Sequence, residues 1–262
     1  MTVEKIITLL NQQAPESSAL DWDNVGLLVG DKDWEVDKVY IALDATEEVI
    51  DDAIEAGAQL IVTHHPMIFK SVNKVTADHF VGRRILKLIE HHIAVYAMHT
   101  NFDIHGMTDL AQNVLGIKQS VVLDVCETDE ESQEEYGIGC VGMLDDMMTL
   151  EQFATYVREA FHLTHVKVFG DADTEIRMVA ISPGSGRGAV GNAIRKAADV
   201  LVTGDIDHHT GIDAVAKGLC IVDAGHYGVE HIFISYIANY LKGKTGTLEI
   251  VCAQKKEPFW LV

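Results

Sequence analysis

Apolar runs of four to eight residues alternate with amphipathic stretches along most of this chain, the pattern of βαβ units around a largely parallel sheet. The first stretch, with Ile6, Ile7, Leu9 and Leu10 at helical spacing, predicts an opening helix. "KVYIALDA" then reads as a strand, "TEEVIDDAIEAGA" as a helix capped by Thr46, and "QLIVTHH" as the next strand. "FVGRRILKLIEHH" is a second helix of this series, and "IAVYAMHTNFD" a third strand running into a loop.

The second half repeats that order. "RMVAISPGSG" predicts a strand, "AVGNAIRKAA" a helix, "DVLVTGD" a strand, "HHTGIDAVAKG" a helix, and "LCIVDAGHYGVE" a strand entering another helix. The wording matches locally as well. "EAGAQLIVTHH" aligns with "RKAADVLVTGD", which sets His64 and His65 opposite Gly204 and Asp205; "HTNFD" aligns with "HYGVE", which sets His99 and Asp103 opposite His226 and Glu230. The expectation is an α/β protein of two similar lobes, a degenerate internal duplication, with mainly parallel sheets flanked by helices. The acidic run 126–136, "CETDEESQEEY", reads as a solvated linker and divides the lobes at 1–125 and 126–262, with the last helix and strand free to cross back.

Charge narrows the classes of function. Forty Asp and Glu against twenty Lys and Arg give a net charge of −20, which repels phosphate backbones and anionic lipid and argues against nucleic acid or membrane as partner. No apolar segment has the length of a membrane span. The N-terminal stretch lacks the basic start and longer apolar run of a signal peptide, so the expected setting is the cytoplasm. Cys126, Cys140, Cys220 and Cys252 are far apart and form no CxxC, as expected of thiols in a reducing compartment.

The candidate chemistry sits at the strand ends, where open α/β sheets gather ligands. His64 and His65 close one predicted strand, Asp103 follows another, and His226 follows a third. Glu230 lies four residues beyond His226 on a helical pattern, so the two share a face. Three imidazoles and two carboxylates suit zinc, manganese, iron or nickel and are too rich in nitrogen for calcium. Adjacent residues on a strand point to opposite faces, and Pro66 extends the backbone before it, so His64 and His65 are expected to diverge towards two separate ions. Five protein ligands serve two ions best if Glu230 bridges them, in the arrangement with ions about 3.5–4 Å apart that hydrolases use. Asp103 and one histidine would complete the first ion, and the other histidine with His226 the second.

The remaining histidines have blander readings. His79, His91, His92, His162, His165, His208, His209 and His231 read as surface or satisfied core residues; His99 and His105 are weighed less firmly so because both flank Asp103. Asp205 and His99 are secondary candidates, supporting the metal ligands without binding themselves. "PGSGRG", 183–188, matches neither Walker A nor GxGxxG in full and reads as a tight strand-to-helix turn rather than a phosphate cradle. Ser182 and Ser185 have no identifiable base, so no nucleophile triad is predicted.

Taken together, "DWDNVGLLVG", "ALDATEEVIDDAIEAGAQLIVTHHP", "HTNFD" and "DAGHYGVE" resemble the GTP cyclohydrolase I type 2 homologue family, in the short form without an inserted middle domain. The resemblance runs from the first helix to about residue 240. It implies a dinuclear metal site whose ligand motifs land on His64, His65, Asp103, His226 and Glu230, and a ring-shaped homohexamer built as a trimer of dimers, with its sites facing an internal cavity. "TGDIDHHTG" departs from the family's usual "TGDIKYHDA", and "SPGSG" from its usual double glycine. The family name implies hydrolytic opening of the GTP imidazole ring. Two alternatives stand beside that reading: a metal-dependent phosphoesterase, and a non-catalytic metal-binding scaffold or metal-trafficking protein.

Overall fold

β-branched runs become strands and amphipathic stretches become helices in the expected order. The structure, a computed structural model, describes residues 1–260 and 262. It begins with α1 (Val3–Gln13), β1 (Gly26–Val29), β2 (Lys38–Ala42), α2 (Glu47–Ala56), β3 (Leu60–Thr63), α3 (Phe80–Glu90) and β4 (Ala94–Ala97). A helical run follows, made of α4 (Thr100–Phe102), a π-helical turn (Asp103–Met107) and α5 (Thr108–Leu115). Then come β5 (Lys118–Thr128), β6 (Glu135–Thr149), α6 (Leu150–Ala160), β7 (Lys167–Phe169), β8 (Glu175–Ser185), α7 (Val190–Arg195), β9 (Val200–Gly204), α8 (His208–Ala216) and β10 (Cys220–Asp223). The chain ends with α9 (His226–Glu230), α10 (Ile232–Lys244) and β11 (Glu249–Cys252). Among the described residues no helix is long and apolar enough to cross a membrane.

Two units divide the chain. The first comprises Met1–Phe102 and Phe233–Lys256, the second Asp103–Ile232 and Glu257–Val262. The division expected at 125/126 therefore lies at Phe102/Asp103, inside the helical run rather than in the acidic segment.

In the first unit the sheet order is β1-β4-β3-β2-β11, parallel throughout except for the edge strand β1. Every residue of β3 and β4 is buried, as parallel strands covered on both faces must be. Ile50 and Ala53 of α2 and Leu88 of α3 pack on Tyr40, Ile61 and Val95 to form its core. Thr46 starts α2 as predicted, its hydroxyl accepting from the Val49 N–H.

The second unit has the order β5-β6-β8-β9-β10-β7. Here the expectation of a mainly parallel sheet is corrected. Only β8, β9 and β10 run parallel, while β5/β6, β6/β8 and β10/β7 are antiparallel. For β5/β6 the cause is the acidic run 126–136, which is a hairpin end and not a linker. Asp129 Oδ1 accepts from the Glu131 and Ser132 N–H groups and turns the chain from β5 into β6. One apolar cluster, with Phe153, Val157 and Phe161, covers one face of this sheet; another, with Ala193, Leu201 and Ile221, covers the other.

The duplication is visible in hydrogen bonds. Gln59 Oε1 accepts from the Asp37 and Lys38 N–H groups ahead of β3, and Asp199 Oδ2 accepts from Arg177 and Met178 ahead of β9. Met98 N–H donates to Thr63 O, and Ala224 N–H to Thr203 O. After those equivalent residues the second unit gains Gly225 (φ 77°), so His226 stands one position later than His99.

Candidate metal centre

In the first unit the chain leaves β3 at Thr63, and the Thr63 hydroxyl donates to the His65 carbonyl. The strand has ended there, so its alternation no longer governs the next two residues. Their rings lie side by side, with centroids 4.9 Å apart. His99 joins them at the end of β4: His64, His65 and His99 each offer a ring nitrogen, all within 4.8 Å of one another. His99, expected only as a supporting residue, is thus itself a candidate ligand.

Each of these rings is oriented through Nδ1. His64 Nδ1 donates to the Met98 carbonyl at 2.7 Å, His65 Nδ1 to Asp44 at 2.9 Å and His99 Nδ1 to Asp23 at 2.9 Å. A neutral imidazole held this way carries its lone pair on Nε2, the tautomer that metal ligation needs. Burial works to raise the Asp23 pKa, but hydrogen bonds from His99 and Thr100 outweigh it and hold the carboxyl well below the usual carboxylate range. Asp23 stays ionised beside His99. Phe102 and Phe233 pack against the buried His64 ring and fix its plane.

In the second unit Asp103 opens the π-helical turn, an irregularity of the kind often found at functional sites. Thr108 Oγ1 donates to the Asp103 carbonyl and accepts from the Gly139 N–H of β6, tying the turn to the sheet. Gly225 leads into α9, where His226 and Glu230 share a face as their spacing predicts, with Nε2 and Oε2 3.1 Å apart. Asp103 and Glu230 each offer an oxygen within 4.8 Å of the other. His226 Nδ1 donates to Asp205 at 2.7 Å. Burial disfavours the charged imidazole, yet Glu230 and Asp205 on its two sides outweigh that and push its pKa up to about 9.

The turn 183–188 serves this group directly. Gly184 has φ 76°, and a Cβ there would lie 2.5 Å from Glu230 Oε1, so bare backbone is what admits the carboxylate. Of the other histidines, His79 caps α3 by accepting from Val81, and His105 Nε2 faces Glu127 at 3.3 Å. Neither joins the groups above.

The five predicted ligands are thus placed as two sets. His64 and His65 stand with His99 in the first unit, and in the second Glu230 lies beside His226 on one side and within reach of Asp103 on the other. Their imidazole nitrogens and carboxylate oxygens fit zinc, manganese, iron or nickel. Asp23 and Asp44 were not anticipated as orienting residues, although both lie within stretches that carried the resemblance.

The family described as Duf34/NIF3 (NGG1p interacting factor 3) matches residues 1–258. A GTP cyclohydrolase 1 type 2 homolog of Clostridium acetobutylicum is 36% identical over 245 residues, covering 93% of this chain and 90% of its own. Another so named, from Clostridium perfringens, is 35% identical and covers 99% of both chains. Among solved structures, a Bacillus cereus protein related to NIF3 superposes with a TM-score of 0.93 at 27% identity, covering 100% of this chain and 99% of its own.

Proposed function

The chain belongs to the Duf34/NIF3 family, and on that footing we propose that it is a metal-dependent hydrolase of a nucleotide or related phosphorylated small molecule. His64, His65, Asp103, His226 and Glu230 hold two divalent ions in this reading, with His99 as an added ligand. The observation that carries it is the shared orientation of four imidazoles. His64, His65, His99 and His226 each commit Nδ1 to a carbonyl or carboxylate oxygen and so present Nε2 to a metal. Ions held there act as Lewis acids and raise the acidity of water. The chain's part is to hold the donors: Asp44, Asp23 and Asp205 fix three ring planes, and the open backbone of Gly184 seats Glu230. The names of the curated relatives support GTP as the first substrate to try.

Metal content per chain, measured in parallel for wild type and Glu230→Ala, tests this. About two ions in the wild type, falling to one or none in the variant, together with metal-dependent turnover in a screen that starts from GTP, is the expected result. One ion or none in the wild type, unchanged by substitution or added metal, overturns it; metal without turnover points to a binding scaffold. The reading extends to a cytoplasmic homohexamer, a trimer of dimers. The sequence resemblance supports the ring, and free thiols at Cys126, Cys140, Cys220 and Cys252 suit a reducing compartment. Native mass spectrometry distinguishes six chains from two.

A further inference from the structure

Trp22 and Phe69 are large aromatic side chains left 59% and 52% exposed in the first unit, and they stand against each other with ring centroids 5.9 Å apart. Exposed aromatic surface carries a hydration cost, and its position here is informative. The Trp22 ring lies 6.0 Å and the Phe69 ring 6.4 Å from the ring of His99. Both stand on anchored backbone. Trp22 precedes Asp23, whose carboxylate bonds His99 and Thr100, and Phe69 follows Ile68, whose carbonyl accepts from the Asn24 side chain at 2.5 Å.

Phe69 also forms one wall of a cavity of about 670 Å³ lined by the segment that leads from β3 to α3 and by the first turn of α3. That volume suits a small-molecule ligand, for which pockets of roughly 300–1,000 Å³ are usual. Its charge is unlike that of the rest of the chain. Lys70 and Lys74 line it together with Ser71 and Asn73, and among the described residues no carboxylate does, in a protein whose net charge is −20. Phe69 in the cavity wall, with Trp22 against it, and two lysines lining the same cavity match a ligand with a planar ring and an anionic end.

We propose that Trp22 and Phe69 form the platform on which the planar ring of the substrate stacks beside His99, and that Lys70 and Lys74 take up the anionic group of the same molecule. The inference deepens the hydrolase reading and rests on it for the word substrate, but binding is measurable apart from turnover.

The test is calorimetric titration of the full chain, with the metal it carries, against GTP, guanosine and inorganic triphosphate. Trp22→Ala and Phe69→Ala each weaken GTP and guanosine about tenfold, the loss expected of one stacking partner, while metal content stays at the wild-type level. The paired change Lys70→Ala and Lys74→Ala weakens GTP and triphosphate and leaves guanosine unaltered. Trp22→Phe restores most of the loss. Should Trp22→Ala lose metal through its neighbour Asp23, Phe69→Ala carries the test alone. Unchanged affinities in the alanine variants, or a wild type that binds neither GTP nor guanosine, overturn the platform. Two ions and GTP turnover with an unaltered KM in Phe69→Ala defeat this inference and leave the hydrolase standing. Ring-dependent binding in a protein with neither metal nor turnover does the reverse.

Discussion

His226 donates its Nδ1–H to Asp205 at 2.7 Å, and Asp205 reaches it from a left-handed backbone, φ 57°. A non-glycine residue in that region carries strain, which persists where the surroundings require the conformation. In the first unit the matching position is His65, itself a candidate ligand. The two repeats have thus put a ligand and a ligand's anchor at equivalent points.

From that contact follows the effect of Asp205→Asn, which keeps the shape and removes the charge. Metal affinity falls by about 10–100-fold, as is typical when a ligand's orienting carboxylate is lost. Competition with a fluorescent chelator reads it, and a variant that holds metal as tightly as wild type would show Asp205 to be a bystander.

Gly184→Ala attacks the carboxylate from the other side. The new Cβ lies 2.5 Å from Glu230 Oε1 on a backbone with φ 76°, so both the clash and the strain oppose folding. Stability falls by more than about 1 kcal/mol, and metal content drops with it. A variant with unaltered urea midpoint and full metal would mean that Glu230 is not held where the structure places it.

Ala197 offers a prediction in the opposite direction. Gly57 (φ 71°) and Ala197 (φ 54°) end the equivalent helices α2 and α7 with the same pair of bonds, Gly57 N–H to Ile54 O and Ala58 N–H to Ala53 O in one, Ala197 N–H to Ile194 O and Ala198 N–H to Ala193 O in the other. Only the first has the residue that such a terminus favours. Ala197→Gly therefore stabilises the protein by about 0.5–1 kcal/mol, the relief of left-handed strain less the entropy glycine adds to the unfolded chain. Gly57→Ala, where no atom lies within 4 Å of the added methyl, costs a similar amount. Urea melts of the two variants should move apart; midpoints shifting the same way would refute the backbone argument.

Asp207 gives a pH dependence with a definite sign. Hydrogen bonds from the Thr210 hydroxyl and N–H, and from the His209 N–H, lower its pKa from 3.8 to about 2 as it caps α8. A folded-state pKa below the unfolded one adds stability that is complete above 3.8 and is lost as pH falls towards 2. The stability gap between wild type and Asp207→Ala is therefore constant from pH 7 to 5 and narrows below pH 4. Urea midpoints at pH 6, 4 and 3 check it; a gap that widens on acidification would contradict the cap.

The sequence by itself determined strands β2 to β4 and β8 to β10 with the helices between them, the duplication, and His64, His65, Asp103, His226 and Glu230 as candidate donors. Those depend on periodicity, on strand-end position and on an i, i+4 step, all of which are local. Only the tertiary structure decided that His64 and His65 lie side by side, that His99 joins them, and that Asp23, Asp44 and Asp205 orient the rings. It likewise decided that 126–136 closes a hairpin and that the chain divides at Phe102/Asp103. These are matters of where a strand stops and which distant residue comes within about 3 Å, and a carboxylate 76 residues from the imidazole it holds, as Asp23 is from His99, leaves no periodic trace along the chain.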